Sequence, residues 1–142
     1  MKRFNIRVYG LWIENGHVLI CKETVKNQEI LKFPGGGMEF EEGTIDCLKR
    51  EWQEELNCEI EVIKHFYTTD FYQPSAFDDS RVISIYYEVR PTQALELPVY
   101  NGREHFYHRL IDASLWSDIS LPIDKVVTKM LLDNCLKTLS AN

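Results

Sequence analysis

The stretch FPGGGMEFEEGTIDCLKREWQEELN, Phe33–Asn57, sets three consecutive glycines ahead of a segment that carries Glu51, Glu54 and Glu55 within five residues. Its second half reads as a helix. Gly43-Thr44 is a suitable start, with Thr44 as N-cap and Asp46 in the first turn, where a negative charge meets the positive end of the helix dipole. Asn57 is a suitable stop, because Asn tolerates the left-handed conformation that follows a helix. Between them Ile45, Leu48, Trp52 and Leu56 recur at helical spacing and form one narrow apolar stripe, the face that packs on a sheet.

The glutamates beside that stripe break an ordinary rule. A helical glutamate gains from Lys or Arg four residues later, yet Glu51 is followed there by Glu55. Drawn out of bulk water to ~4 Å, two such charges repel by on the order of 4 kcal/mol at an effective dielectric of 20. A solvated acidic face is one explanation. A site for a hard divalent cation is the other, since Mg²⁺ and Mn²⁺ take carboxylate oxygens and leave the remaining positions to water and substrate phosphate.

The residues upstream bear on that choice. Gly36 is followed after five residues by Glu42, and seven more lead to Arg50-Glu51, Trp52, Gln53, Glu54-Glu55, Leu56, Asn57 and Cys58. This resembles the Nudix box, G-x5-E-x7-R-E-U-x-E-E-x-G-U with U a bulky apolar residue, the signature of Nudix hydrolases. Gly36, Glu42, Arg50, Glu51, Glu54 and Glu55 all stand at the required spacing. At about 6% usage per residue type, six fixed matches arise by chance on the order of once in ten million start sites. Pro34-Gly35 matches the usual lead-in. Asn57 replaces a glycine and can do the same capping job, and Glu41 stands where the family often has glycine. Trp52 and Cys58 are unusual but apolar.

The resemblance implies an α/β (α+β) fold, an αβα sandwich with a mixed β-sheet flanked by helices. It implies divalent-metal-dependent hydrolysis, with Mg²⁺ or Mn²⁺, of a pyrophosphate bond in a nucleoside diphosphate linked to another moiety. By motif position Glu51, Glu54 and Glu55 would be metal ligands, with a second role as base open to any of them, and the Gly35 carbonyl a further ligand. Arg50 would pair with Glu42 and orient the glutamates. The glycines would let backbone approach metal and phosphates closely. Family members often draw a further base or ligand from a loop before a late strand; Glu104 fits that place, ahead of Glu96 and Asp79. Some ADP-ribose-hydrolysing relatives carry a proline past the box, and Pro74 stands sixteen residues after Cys58. ADP-ribose or a nucleotide sugar is therefore the first substrate expectation and a (d)NTP, as for MutT-like members, the second. The alternative is a Nudix-fold sensor that binds a nucleotide without cleaving it. Such regulators usually carry a DNA-binding domain or have lost box glutamates, and here the glutamates are intact. A homodimer is a further expectation, from the relatives.

Outward from the box, strands dominate. FNIRVYGLWI (4–13) and HVLICKE (17–23) flank Asn15-Gly16, a tight-turn signal. ILKF (30–33), the region 59–72, RVISIYYEV (81–89) and HFYHRLI (105–111) follow, with QPSAFDDS (73–80) as a loop. Residues 113–119 read as a helical turn or two, and Pro122 opens a final helix with Ile123, Val126, Val127, Met130, Leu131 and Cys135 at helical spacing. That order predicts a mixed sheet covered by helices within one domain, 1–142. His105 and His108 would face opposite sides of a strand and are read as ordinary; Phe71, Tyr72, Phe77 and Phe106 are weak candidates for stacking on a base. The net charge of −6 and the lack of a basic stripe argue against nucleic-acid binding. No apolar run nears the ~20 residues that span a bilayer, and no export signal is seen. Cys21, Cys47, Cys58 and Cys135 form no C-x-x-C pair, as for buried thiols in the reducing cytoplasm.

Overall fold

The computed structural model describes residues 2–141. In chain order it runs β1 (Phe4–Leu11), β2 (Ile13–Glu14), β3 (His17–Val25), β4 (Gln28–Lys32), β5 (Gly35–Gly37), α1 (Thr44–Leu56), β6 (Ile60–Thr68), β7 (Arg81–Pro91), β8 (Val99–Tyr100), β9 (Glu104–Leu110), α2 (Ala113–Asp118) and α3 (Pro122–Ala141). These elements form two units, each with its own sheet: one joins the chain up to Leu11 to Pro34–Leu95, the other joins Trp12–Phe33 to Glu96 and beyond. The protein is thus a mixed α+β structure with sheets flanked by helices.

The first unit has the mixed sheet, in the order β5-β1-β7-β6. β1 runs parallel to β7 and antiparallel to β5, and β6 runs antiparallel to β7. α1 packs on β1 and β5. Trp52 is the anchor of that contact: its ring is fully buried, and Gly10 of β1 lies directly under it. The indole Nε1 also donates to the Pro34 carbonyl at 3.3 Å, which already accepts from Gly10 N at 2.9 Å. One side chain thereby ties helix, central strand and the start of the glycine run together. The glycines themselves form β5, with Arg7 opposite Gly37, Val8 opposite Gly36 and Tyr9 opposite Gly35. The sequence reading gave them no strand, because glycine has little intrinsic β preference.

The second unit has an antiparallel sheet, β2-β3-β9-β8 with β4 on β3. Asn15-Gly16 makes the expected tight turn, with φ of 52° and 74°. Trp12 separates β1 from β2, so the strand expected over 4–13 is two strands that belong to different sheets. A second turn at Lys26-Asn27, with φ of 50° and 66°, joins β3 to β4 and lengthens both beyond their expected ends. Lysine is a poor residue for that conformation, which is why the turn was not expected. α3 starts at Pro122 as expected; Ile123, Val127 and Leu131 are buried apolar positions on it, and Asp124 and Thr128 are buried as well. The region 59–72 holds a strand only to Thr68, with register shifts at Val62/Lys64 and His65/Tyr67.

Candidate active site

Helix α1 begins one residue earlier in its cap than expected. Gly43 is the N-cap and Thr44 the first helical residue; Thr44 Oγ1 instead shares a hydrogen bond of 2.7 Å with the Tyr87 hydroxyl of β7. Asp46 reaches back to Gly43 N at 3.4 Å. Asn57 closes the helix in the left-handed conformation, φ 49° and ψ 45°, as expected. The buried stripe is Cys47, Leu48, Trp52 and Leu56. Ile45, expected on that face, is 42% exposed, and the Cys47 thiol takes the inner position. Burial and the neighbouring Glu42 carboxylate push that thiol up to about 12, so it stays neutral.

Arg50 organises the acidic segment. Its Nε donates to Glu42 Oε2 at 3.0 Å and its Nη2 to Glu42 Oε1 at 2.6 Å, a bidentate pair. Nη2 also donates to the Gly37 carbonyl at 3.0 Å. Nη1 donates to Glu51 at 3.1 Å and to Glu54 at 3.2 Å. A single guanidinium therefore joins the loop before the helix, the end of β5 and two helix carboxylates. The Arg50 hydrogen bonds hold the Glu42 carboxyl down to about 2, and in return the same pairing raises Arg50 above its ordinary value.

Glu51 meets the glycines directly. A Cβ built at Gly36 would lie 2.6 Å from Glu51 Oε2, so only glycine leaves room for this carboxylate. Gly35 has φ of 154° and a built Cβ 2.8 Å from Tyr9 Cα, which also restricts that position to glycine. Glu54 is exposed, and one carboxylate oxygen of Glu55 is shielded from solvent. Glu42, Arg50, Glu51, Glu54 and the β5 backbone are thus brought together. Among the described residues no three His, Cys, Asp or Glu side chains converge as a preformed metal cage. The donor chemistry nevertheless fits a hard divalent cation: carboxylate oxygens on one helix, beside a glycine whose missing Cβ leaves Glu51 its room.

Glu104 is not the loop residue the sequence suggested. It is the first residue of β9, in the second unit, and only 5% exposed. Asp79 is an exposed side chain near Arg3, and Glu96 is exposed. Phe106 is fully buried and so is core rather than a base platform; Tyr72, Phe71 and Phe77 remain exposed. His105 stacks on Tyr100 and His108 packs edge-on against Trp12.

The family model of the NUDIX domain matches residues 1–120. The chain belongs to the Nudix family. Its Nudix fold matches solved structures at low identity. A NUDIX hydrolase from Nitrosomonas europaea superposes with a TM-score of 0.75 at 14% identity, over 93% of this chain and 90% of that one. The ORF135 protein of E. coli gives 0.73 at 16% identity, over 89% and 87%. A MutT NUDIX hydrolase from Burkholderia pseudomallei gives 0.67 at 16% identity, over 92% and 97%. Among curated proteins nothing matches the chain. As a Nudix hydrolase it has the family's general chemistry, hydrolysis of nucleotide-linked pyrophosphates, and the family generally needs a divalent metal.

Proposed function

We propose that the protein is a Mg²⁺- or Mn²⁺-dependent pyrophosphohydrolase of a nucleoside diphosphate linked to a second moiety, with ADP-ribose or a nucleotide sugar ahead of a (d)NTP. The observation that carries the reading is the Arg50 junction, which holds Glu42, Glu51 and Glu54 around the end of the glycine strand. Glu51, Glu54, Glu55 and the Gly35 carbonyl would hold the metal. When bound, it supplies charge neutralisation for phosphate oxygens and activation of water.

The chain's own residues do the rest. Arg50 keeps Glu42, Glu51 and Glu54 at fixed places, and Gly36 leaves the Glu51 carboxylate its room. Trp52 fixes the helix against the Pro34 carbonyl, so the glycine backbone does not drift from the carboxylates. Glu104 is proposed as a further base or ligand from its place at the head of a late strand. Pro74, paired with Arg81 in an isolated bridge, supports the order of substrates by its place beyond the box. The acidic balance supports a small-molecule nucleotide rather than nucleic acid as substrate, and the free cysteines support the cytoplasm. The family match runs through segments of both units, which supports reading them as one domain, and a homodimer remains part of the proposal. No helix among the described residues is long and apolar enough to cross a membrane.

The test is incubation with Mg²⁺ and ADP-ribose, nucleotide sugars, dinucleoside polyphosphates, and ordinary and oxidised dNTPs, with products resolved by chromatography. Cleavage to a nucleoside monophosphate and a second phosphorylated fragment, or pyrophosphate, is expected from one class and not from Glu55→Gln. Protection against heat by a nucleotide that is never cleaved would overturn the enzymatic reading.

A further inference from the structure

The sheet face that meets Glu51 extends past the acidic helix. A Cβ at Gly36 would point at the Glu51 carboxyl group, and Gly36 pairs with Val8 of β1. Paired residues share a face and alternate residues of a strand return to it, so Ile6 and Phe4 lie on the Glu51 side. β1 pairs with β7 in unbroken register from Phe4 to Leu11, which brings Ile83 and Arg81, the partners of Ile6 and Phe4, to the same side. Cover thins in this direction. Gly10 and Val8 are buried, Ile6 and Ile83 are half-buried, and Phe4 is 62% exposed. An apolar shelf thus leads from Val8, beside Gly36, to Phe4, about 13 Å along the strand.

At the far end of the shelf is a cavity of about 450 Å³, with Arg3, Phe4, Tyr72, Asp78 and Arg81 in its wall. Arg3 takes the carboxylates there, Asp78 at 2.9 Å and Asp79 at 3.9 Å. Asp78 is held further by Ser80, whose hydroxyl and N–H donate to Oδ1 at 2.5 Å and 2.9 Å. Arg81 is placed differently. Among the described residues its guanidinium meets no carboxylate, and it lies 5.7 Å from the Phe4 ring centroid and 5.5 Å from that of Tyr72. Its backbone is fixed, since Arg81 N donates to the Arg3 carbonyl at 3.0 Å. Tyr72 is 69% exposed, so its ring has surface to spare. A planar cation beside exposed rings, with the nearby acids already engaged, is the chemistry that takes a flat aromatic base by stacking.

We propose that Tyr72 and Arg81 form the subsite for the nucleobase of the substrate, with the pyrophosphate at the Glu51 end of the shelf. This deepens the hydrolase reading and rests on it for the place of the phosphates. The base is gripped equally in the ground state and in the transition state, so the subsite sets affinity and leaves the chemical step alone.

The test has two arms. With Mg²⁺ and the panel compound cleaved fastest, Tyr72→Ala and Arg81→Ala should each raise KM about tenfold, the worth of one base stack, with kcat nearly unchanged. Tyr72→Phe keeps the ring and should keep KM. A KM unmoved in both alanine variants, or a loss confined to kcat, overturns the proposal. The second arm follows assigned backbone amides of wild type by NMR, with Mg²⁺ and either AMP or ribose 5-phosphate, which lacks the base. Stacking accepts any base, so AMP serves as the probe. AMP should shift the amides of Tyr72 and Arg81 as well as that of Gly36, and ribose 5-phosphate should shift Gly36 alone. Equal shifts at Arg81 from both compounds would assign the cavity to a sugar phosphate and overturn the proposal, as would none from AMP. If AMP shifts Arg81 while Gly36 stays unmoved and no panel compound is cleaved, the hydrolase reading falls and the base subsite stands.

Discussion

Gly36 and Glu51 compete for space that only the glutamate can fill. The nearest atoms to a built Cβ at Gly36 are those of the Glu51 carboxyl group, with Oε2 at 2.6 Å, and this is the mobile end of a side chain rather than backbone. Gly36→Ala should therefore leave the fold alone and move the carboxylate. Misplacement by about 1 Å can cost on the order of a hundredfold in rate. The expected result is a large fall in kcat with an unchanged thermal midpoint. A variant of wild-type activity would show that Glu51 need not occupy this place.

The Arg50–Glu42 pair makes a prediction about acid. Hydrogen bonds from Arg50 lower the Glu42 carboxyl from 4.5 to about 2 in the folded protein. The unfolded chain thus binds this proton more readily than the folded one, and the pair's contribution is full above the unfolded value. It is lost as pH falls from 4.5 through about 2. Wild type and Glu42→Gln, compared by urea unfolding across that window, should differ most near neutrality and converge at its acid end. A difference that does not change with pH would mean that the pair is not formed.

The sequence made the box legible because its signal is local. Residue types at fixed spacing identify α1, its Asn57 stop and the Arg50–Glu42 partnership without knowledge of anything distant. What escaped depends on partners far along the chain. The glycine strand exists because β1 offers it a ladder far back in the chain (Gly36 pairs with Val8, 28 residues earlier). Thr44 lost the cap to Gly43 while its hydroxyl found Tyr87, 43 residues on. Glu104 read as a loop residue because nothing near it in sequence predicts its burial at the head of a strand; its thiol partner Cys21 is 83 residues away.

Trp52 on Gly10 offers a test of packing. A Cβ built at Gly10 would lie 2.9 Å from Trp52 Cζ2, and the ring is fully buried and cannot swing out. Gly10→Ala should cost about 1–3 kcal/mol, the usual penalty for overfilling a packed core. Trp52→Phe should also destabilise, through a cavity and loss of the bond to the Pro34 carbonyl. Combined, the two should cost less than their sum, because the smaller ring yields the space that the methyl needs. Strict additivity in urea unfolding would mean that the residues do not share this volume.

Lys32 and Glu23 are the buried ion pair of the second unit, with side chains 11% and 4% exposed. Burial opposes the Glu23 charge, but the hydrogen bonds and charges of Lys32 and Arg103 outweigh it and hold the carboxyl below its ordinary value. Lys32→Met removes the buried partner and leaves Arg103, which is largely exposed. The expected cost is about 3 kcal/mol, from a carboxylate left buried with too little compensation. Two further measurements identify that cause. Adding Glu23→Met should recover most of the loss, since two apolar side chains can replace a buried pair at little cost. The Lys32→Met penalty should also shrink as pH falls below the carboxylate range, where Glu23 becomes neutral in the variant while wild type loses its pair. A penalty that stays constant in acid, and is not repaired by the second substitution, would assign the loss to packing of the lysine stem instead of to charge.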